Sequence, residues 1–181
     1  MWQSRSWQGP SGLAILAIRE NVLWRNPLPH NDPAKVPQAF SVPLALMSAI
    51  AFENFRSDAM STTQTISHMK NQILNFIRSE IGGVVIVGED VQTSPHLISI
   101  SFEGIDSERI VNLMSERGIA IDAGSACLSG NMAPSHVLAE MGLPVTGNVR
   151  LTLHPQVEEN DIDLLLNNLK EVVLRERQNL N

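Results

Sequence analysis

Cysteine occurs only once in the 181 residues, at position 127. One cysteine excludes an internal disulfide and any zinc site built from several cysteines, and it fits a reducing compartment. Long apolar runs are missing as well. The stretch GLAILAI (12–18) is far too short to cross a bilayer, and the N-terminus lacks the basic region and long apolar core of a secretory signal. A cytoplasmic protein with no membrane partner is expected. Positive charge is scarce: 13 Lys and Arg stand against 19 Asp and Glu, for a formal net charge of −6, and no local basic patch relieves it. A phosphate backbone would be repelled by such a surface, so nucleic acid is not an expected partner. Metal-ligand spacing is absent among His30, His68 and His96, either with one another or with carboxylates, so no metal site is expected.

What is present is ordinary for a folded domain. Hydrophobic residues make up 43% and charged residues 18%, enough for one sizeable core. Residues 1–43 stand apart from the rest. They hold Trp2, Trp7 and Trp24, a short strand-like run over Leu13–Ile18, and the proline-rich NPLPHNDPAKVPQAFSVP, which reads as extended chain. From Pro43 the apolar spacing predicts two helices, 44–56 and 62–80, separated by a polar break. GGVVIVG then predicts a buried strand at Val84–Val87, and HLISISF alternates as a half-exposed strand does.

The segment GIDSERIVNLMSERG predicts a helix capped by Asp106, striped by Ile110, Val111, Leu113 and Met114, and closed by Gly118. A strand at IAI follows directly. Beyond the cysteine come a short helix after Pro134 that stops at Gly142, a strand at NVRLTL, and a last helix from about Glu158 to Arg175. Glu158, Glu159 and Asp161 suit the positive end of that helix. The order from residue 84 is strand, strand, helix, strand, helix, strand, helix. It predicts an α/β fold of the α+β kind, a mostly antiparallel sheet covered by helices.

Cys127 admits two readings. A lone cysteine is commonly a small buried hydrophobe. Here it follows Gly124, Ser125 and Ala126 and precedes Ser129 and Gly130, a small-residue loop able to bring a thiol to a substrate. A nucleophilic thiolate needs access and a lowered pKa, for which the helix after Pro134, His136 and Arg150 are candidates. Arg150 is either a solvated edge residue or a recognition group for a carboxylate, which its planar guanidinium fits with two bonds. His136 and His154 otherwise read as surface or structural histidines.

Taken together, SACLSG, APSHVLAEMGLP, GNVRLTLHP and EENDIDLLLNNL resemble the C-terminal small domain of cysteine desulfurases, pyridoxal-phosphate enzymes of the class V aminotransferase family. The resemblance runs from about His96 to Val173. It implies that Cys127 is the nucleophile that takes sulfur from L-cysteine as a persulfide while pyridoxal phosphate serves as electron sink and alanine is released. It also implies that Arg150 holds the substrate carboxylate, and that the sulfur passes to iron–sulfur cluster assembly or another thiol acceptor protein.

More faintly, SWQGPSGLAILAIR is similar to the family's segment around the cofactor lysine, with Arg5 and Ser6 at the positions of its histidine-lysine pair. The Schiff-base lysine therefore has no counterpart at Ser6, and Lys35 and Lys70 lie in segments that do not match. QAFS is similar to an arginine-serine-glycine-threonine segment that reaches the cofactor phosphate of a neighbouring subunit. Ser41 keeps the hydroxyl there and Gln38 loses the arginine.

The resemblance thus predicts that 1–43 is a remnant of the large cofactor domain with its connection, and that 44–181 is the small domain. The aspartate under the cofactor's pyridine nitrogen is expected in sequence preceding Met1. A homo-oligomer or a complementing subunit is expected, since the Leu13–Ile18 strand would lack sheet neighbours. Two functions stand side by side: a desulfurase-like sulfur carrier, truncated or half of a split enzyme, and a non-catalytic degenerate domain that binds a desulfurase or a sulfur acceptor.

Overall fold

No glycine or proline interrupts the chain between Leu44 and Ile81. In the computed structural model, which describes residues 1–25, 41–123 and 135–179, this stretch forms one helix, α1 (Val42–Glu80, 39 residues). Two helices were expected from the polar break after Arg56. The break proves to be surface rather than a terminus. Ser57 and Ser61 donate from Oγ to the carbonyls of Asn54 (2.7 Å) and Asp58 (2.9 Å), one turn back, so their hydroxyls are satisfied without ending the helix. Pro43 sits in the first turn, where its missing N–H is not needed.

The chain divides into two compact units, Met1–Ser61 and Thr62–Asn181. In the first, β1 (Trp2–Gln3) pairs antiparallel with β2 (Ala14–Ile15). The strand anticipated over Leu13–Ile18 is therefore only two residues long, and it has a neighbour after all. Between the two lies one turn of 3-10 helix, Ser4–Trp7. Trp7 is buried, and its Nε1 donates to the Ser48 carbonyl (3.1 Å) and Oγ (3.2 Å), while the Ser4 and Ser48 hydroxyls meet at 2.7 Å. Phe52 stands edge-on to the Trp7 ring at 5.4 Å. Gly9 is required beside this knot: a Cβ there would lie 2.2 Å from Ser4 Oγ.

The second unit contains β3 (Val84–Ile86), β4 (Leu97–Phe102), α2 (Ser107–Ser115), β5 (Asp122–Ala123), α3 (His136–Glu140), β6 (Asn148–Thr152) and α4 (Glu159–Gln178). Its sheet runs β3-β4-β6-β5 with every neighbour antiparallel, the mixed helix and antiparallel-sheet fold that the sequence predicts. One face of the sheet supplies Ile98, Ile100, Phe102, Val149, Leu151 and Leu153 to the core. Against them pack Ile66, Ile73 and Ile77 of α1, Ile110 and Met114 of α2, and Ile162, Leu166, Leu169 and Val173 of α4, at helical intervals of three, four or seven residues.

The caps agree with the sequence. Asp106 accepts from the Glu108 N–H (3.0 Å) to start α2, and Glu158 and Asp161 form a capping box at the head of α4. The strand foreseen at IAI pairs only from Asp122, because Ile119 and Ile121 are drawn into partial packing on the core. Among the described residues no helix is long and apolar enough to cross a membrane.

Gly147 sets where β6 begins. It has a φ of 68°, and a Cβ there would lie 2.1 Å from the Phe102 carbonyl oxygen and 2.8 Å from that of Ile105. Its own carbonyl accepts from the Phe102 N–H at 3.0 Å. Gly147→Ala is expected to destabilise the protein by at least about 2 kcal/mol, from left-handed strain plus the backbone clash, measured by urea unfolding.

Candidate functional site

Strand β6 shows its two faces by simple alternation: Val149 and Leu151 are buried in the core, while Arg150 and Thr152 are exposed. Arg150 stands opposite Ser99 of β4 on one side and opposite Asp122 of β5 on the other, so these three side chains form a row across the outer face of the sheet. Arg150 Nη2 donates to Asp122 Oδ2 at 2.7 Å. Both side chains keep about half their exposure, 46% and 57%, so the pair is reachable from solvent.

The adjacent row pins the strand. Asn148 is buried and donates from Nδ2 to Ser101 Oγ (2.9 Å) and Ser99 Oγ (3.0 Å), and Ser101 Oγ donates to the Pro144 carbonyl (3.3 Å). A buried amide satisfied in this way resists register slip, because a shift of one residue would carry Asn148 into the apolar core. Arg150 thereby inherits a defined position.

Cys127 lies outside the described residues, as does the rest of 124–134. The elements on either side of it are described. The chain leaves β5 at Ala123, directly opposite Val149, with four residue steps to Cys127. It re-enters at Ser135, whose Oγ accepts from the Leu138 N–H (3.4 Å) at the head of the five-residue α3. His136 is exposed on the first turn of that helix, and His154 Nδ1 accepts from the Gln156 N–H (3.3 Å), a local turn contact.

In the first unit, Ser6 is exposed on the 3-10 turn. Ser41 is exposed too, and its Oγ accepts from the Leu44 N–H (3.4 Å) while its carbonyl accepts from Ala45 (3.0 Å), which makes it the cap of α1. Lys35 and Gln38 lie outside the described residues.

Pyridoxal phosphate needs a lysine amine for its Schiff base. Ser6 offers a hydroxyl at the place where the resemblance puts that amine. The described lysines are committed elsewhere, both within the second unit. Lys70 Nζ donates to Thr93 Oγ1 (2.7 Å) and to the carbonyls of Ser94 (2.9 Å) and Leu97 (3.0 Å), which uses all three of its protons. Partial burial holds its pKa below the ordinary lysine range. Lys170 Nζ is paired with Glu80 at 2.7 Å, and that contact draws the Glu80 carboxyl below its usual value. The described residues therefore do not fit the cofactor unaided.

Sequence reasoning missed Asp122 and Asn148. Both flank the residues it did single out, but which strands neighbour β6, and in what register, cannot be read from spacing. An acid at the end of one predicted strand and an arginine within another was the only signal available.

Solved structures share this architecture. A NifS-like protein superposes with a TM-score of 0.75 over 95% of this chain and 45% of its own, at 20% identity. A cysteine desulfurase from Escherichia coli does so with a TM-score of 0.59 over 77% of this chain and 33% of its own, at 22% identity. At those identities the likeness is one of fold. The class-V aminotransferase family model matches residues 38–165, and the chain belongs to that family. Among curated relatives, a cysteine desulfurase of Gluconacetobacter diazotrophicus is 27% identical over 93% of this chain and 44% of its own length. One from Nostoc sp. is 29% identical over 93% and 43%. The chain thus spans less than half the length of these relatives.

The Lys70 contacts generate a test of the sheet's outer rim. Lys70→Ala should strip the exposed carbonyls of Ser94 and Leu97 of their shared donor and, with water able to replace it, cost about 0.5–1.5 kcal/mol. Hydrogen exchange should speed up at residues 93–97 before the rest of the sheet is affected.

Proposed function

We propose that this chain takes part in cysteine desulfuration, with Cys127 as the sulfur-accepting thiolate and Arg150 as the clamp for the carboxylate of L-cysteine. The observation that carries this reading is Arg150. It is solvent-facing, pinned on β6, and borne by the strand paired with β5, from which the chain runs on to Cys127. In outline, the Cys127 thiolate attacks the sulfur of L-cysteine, the carbon–sulfur bond breaks, and persulfide on Cys127 and alanine result, with no external oxidant or reductant. The persulfide sulfur then passes to an acceptor protein, as iron–sulfur cluster assembly would require.

This chain contributes the acceptor thiol and the clamp. Breaking a carbon–sulfur bond at an amino acid also demands an electron sink, pyridoxal phosphate, and Ser6 cannot anchor it. In this reading the cofactor lysine comes from outside the described residues, from another part of the protein or from a complementing polypeptide. Residues 1–43 are read as what remains of the cofactor domain and its connection, with Ser41 as a hydroxyl for the cofactor phosphate of a neighbouring subunit, and 44–181 as the small domain. Apolar side chains left exposed in the first unit support a docked partner: Ile15, Leu16, Leu46, Met47, Ile50 and Phe55.

The serine at position 6 favours one other reading, a non-catalytic domain that binds a desulfurase or a sulfur acceptor. Intact mass separates the two. With L-cysteine, pyridoxal phosphate and the cofactor-bearing half of a related desulfurase, a sulfur-sized, reductant-labile gain is expected on the wild type and none on Cys127→Ser. No gain on either, with partner binding that survives Cys127→Ser, would leave the binding module. The same reading predicts concentration-dependent association in light scattering, and a clean monomer at every concentration would contradict it.

A further inference from the structure

The row across the outer face of the sheet holds a carboxylate already. Asp122 stands in register with Arg150 and takes its Nη2 at 2.7 Å, the kind of contact a substrate carboxylate would make. A ligand carboxylate binds a guanidinium best through two parallel hydrogen bonds, which call on two of its nitrogens. Docking such a ligand on Arg150 therefore means either displacing Asp122 from Nη2 or lying beside its negative charge.

From this geometry we infer that Asp122 is a resident competitor for the Arg150 guanidinium, a residue that sets how weakly the site takes a carboxylate. The inference rests on the reading of Arg150 given above and extends it to a residue outside that reading. Three features carry it. The two residues are directly opposed on neighbouring strands, so the backbone register holds them together. Both side chains are about half exposed, at 46% and 57%, which makes the pair weak enough for a ligand to open. Asn148, its buried amide bonded to Ser99 and Ser101, holds β6 in place without help from Asp122, so removing the acid frees the guanidinium and leaves the strand where it is.

The role is one of charge and position, and Asp122 need not touch the reacting sulfur. It acts on ligands bearing a carboxylate and is indifferent to neutral ones of the same shape. Amides of the same skeleton therefore distinguish competition from a general loosening of the sheet edge.

The test is a titration of the full chain, labelled at arginine side chains, with propionate and separately with propionamide, followed by the Arg150 Nε–H signal. Asp122→Asn keeps the size and one acceptor oxygen and removes the charge, and Asp122→Ser serves as a second variant. Both are expected to bind propionate about two- to fivefold more tightly than the wild type, the range an exposed ion pair spans, and to leave propionamide unchanged. Added salt should weaken binding in every variant and narrow the gap between them. Propionate binding that is unchanged or weaker in both variants, or an Arg150 signal equally unmoved in all three proteins, overturns the inference. Failure of the Arg150 reading itself would look different: Arg150→Gln would bind propionate as well as the wild type does, as reported by backbone signals.

Discussion

The pairing of β4 with β6 is the constraint on which the rest depends. Five residue pairs, from Leu97 with Thr152 to Ser101 with Asn148, set the central seam of the sheet. One face of that seam is wholly apolar and receives three helices, and the other carries serines, an asparagine and an arginine. A slip of one residue would exchange the two faces, placing Arg150 in the core and Val149 in water. Two local devices prevent it. Gly147 lets the chain turn hard against the Phe102 carbonyl before β6 starts, and the Asn148 amide finds its partners in one register only.

The helices depend on the same seam. Ile73 and Ile77 of α1 and Leu169 and Val173 of α4 share one buried cluster with Ile98, Ile100 and Phe102, so the sheet face provides part of the apolar surface they bury against. Ion pairs at the edges then choose among packings of similar apolar area. Arg109 with the buried Glu176 and Arg117 with Glu171 join α2 to α4, and Lys170 with Glu80 joins α4 to the end of α1. Only the first involves a nearly buried carboxylate, so it is the one whose loss would leave a charge stranded. The first unit uses a different device, Trp7 and Ser4 locked around Ser48, with several of its large apolar side chains left exposed.

Much of this was legible from residue order. Apolar periodicity gave the helices of the second unit, Asp106 and Glu158 announced their own caps, and the succession of strands and helices after residue 84 implied the antiparallel sheet. The resemblance implied roles for Cys127, Arg150 and Ser41, and the family is that of the class-V aminotransferases. Local signals misled where two outcomes cost nearly the same. The polar stretch after Arg56 could end a helix or line the exposed side of one, and only the surroundings of α1 decide between them. Two residues at Ala14–Ile15 pair although the apolar run is longer, because β1 offers only two partners.

By itself, then, the sequence determined most of the helical and extended segments of the second unit, which faces are apolar, and that position 6 carries no amine, since these follow from side-chain chemistry and local backbone preference. Tertiary structure alone decided that Asp122 meets Arg150, that Asn148 is buried between two serines, and that Gly147 touches Phe102. The physical reason is range. A period of two or of 3.6 residues is written in neighbouring positions, but the register between strands separated by dozens of residues is chosen by the whole core at once.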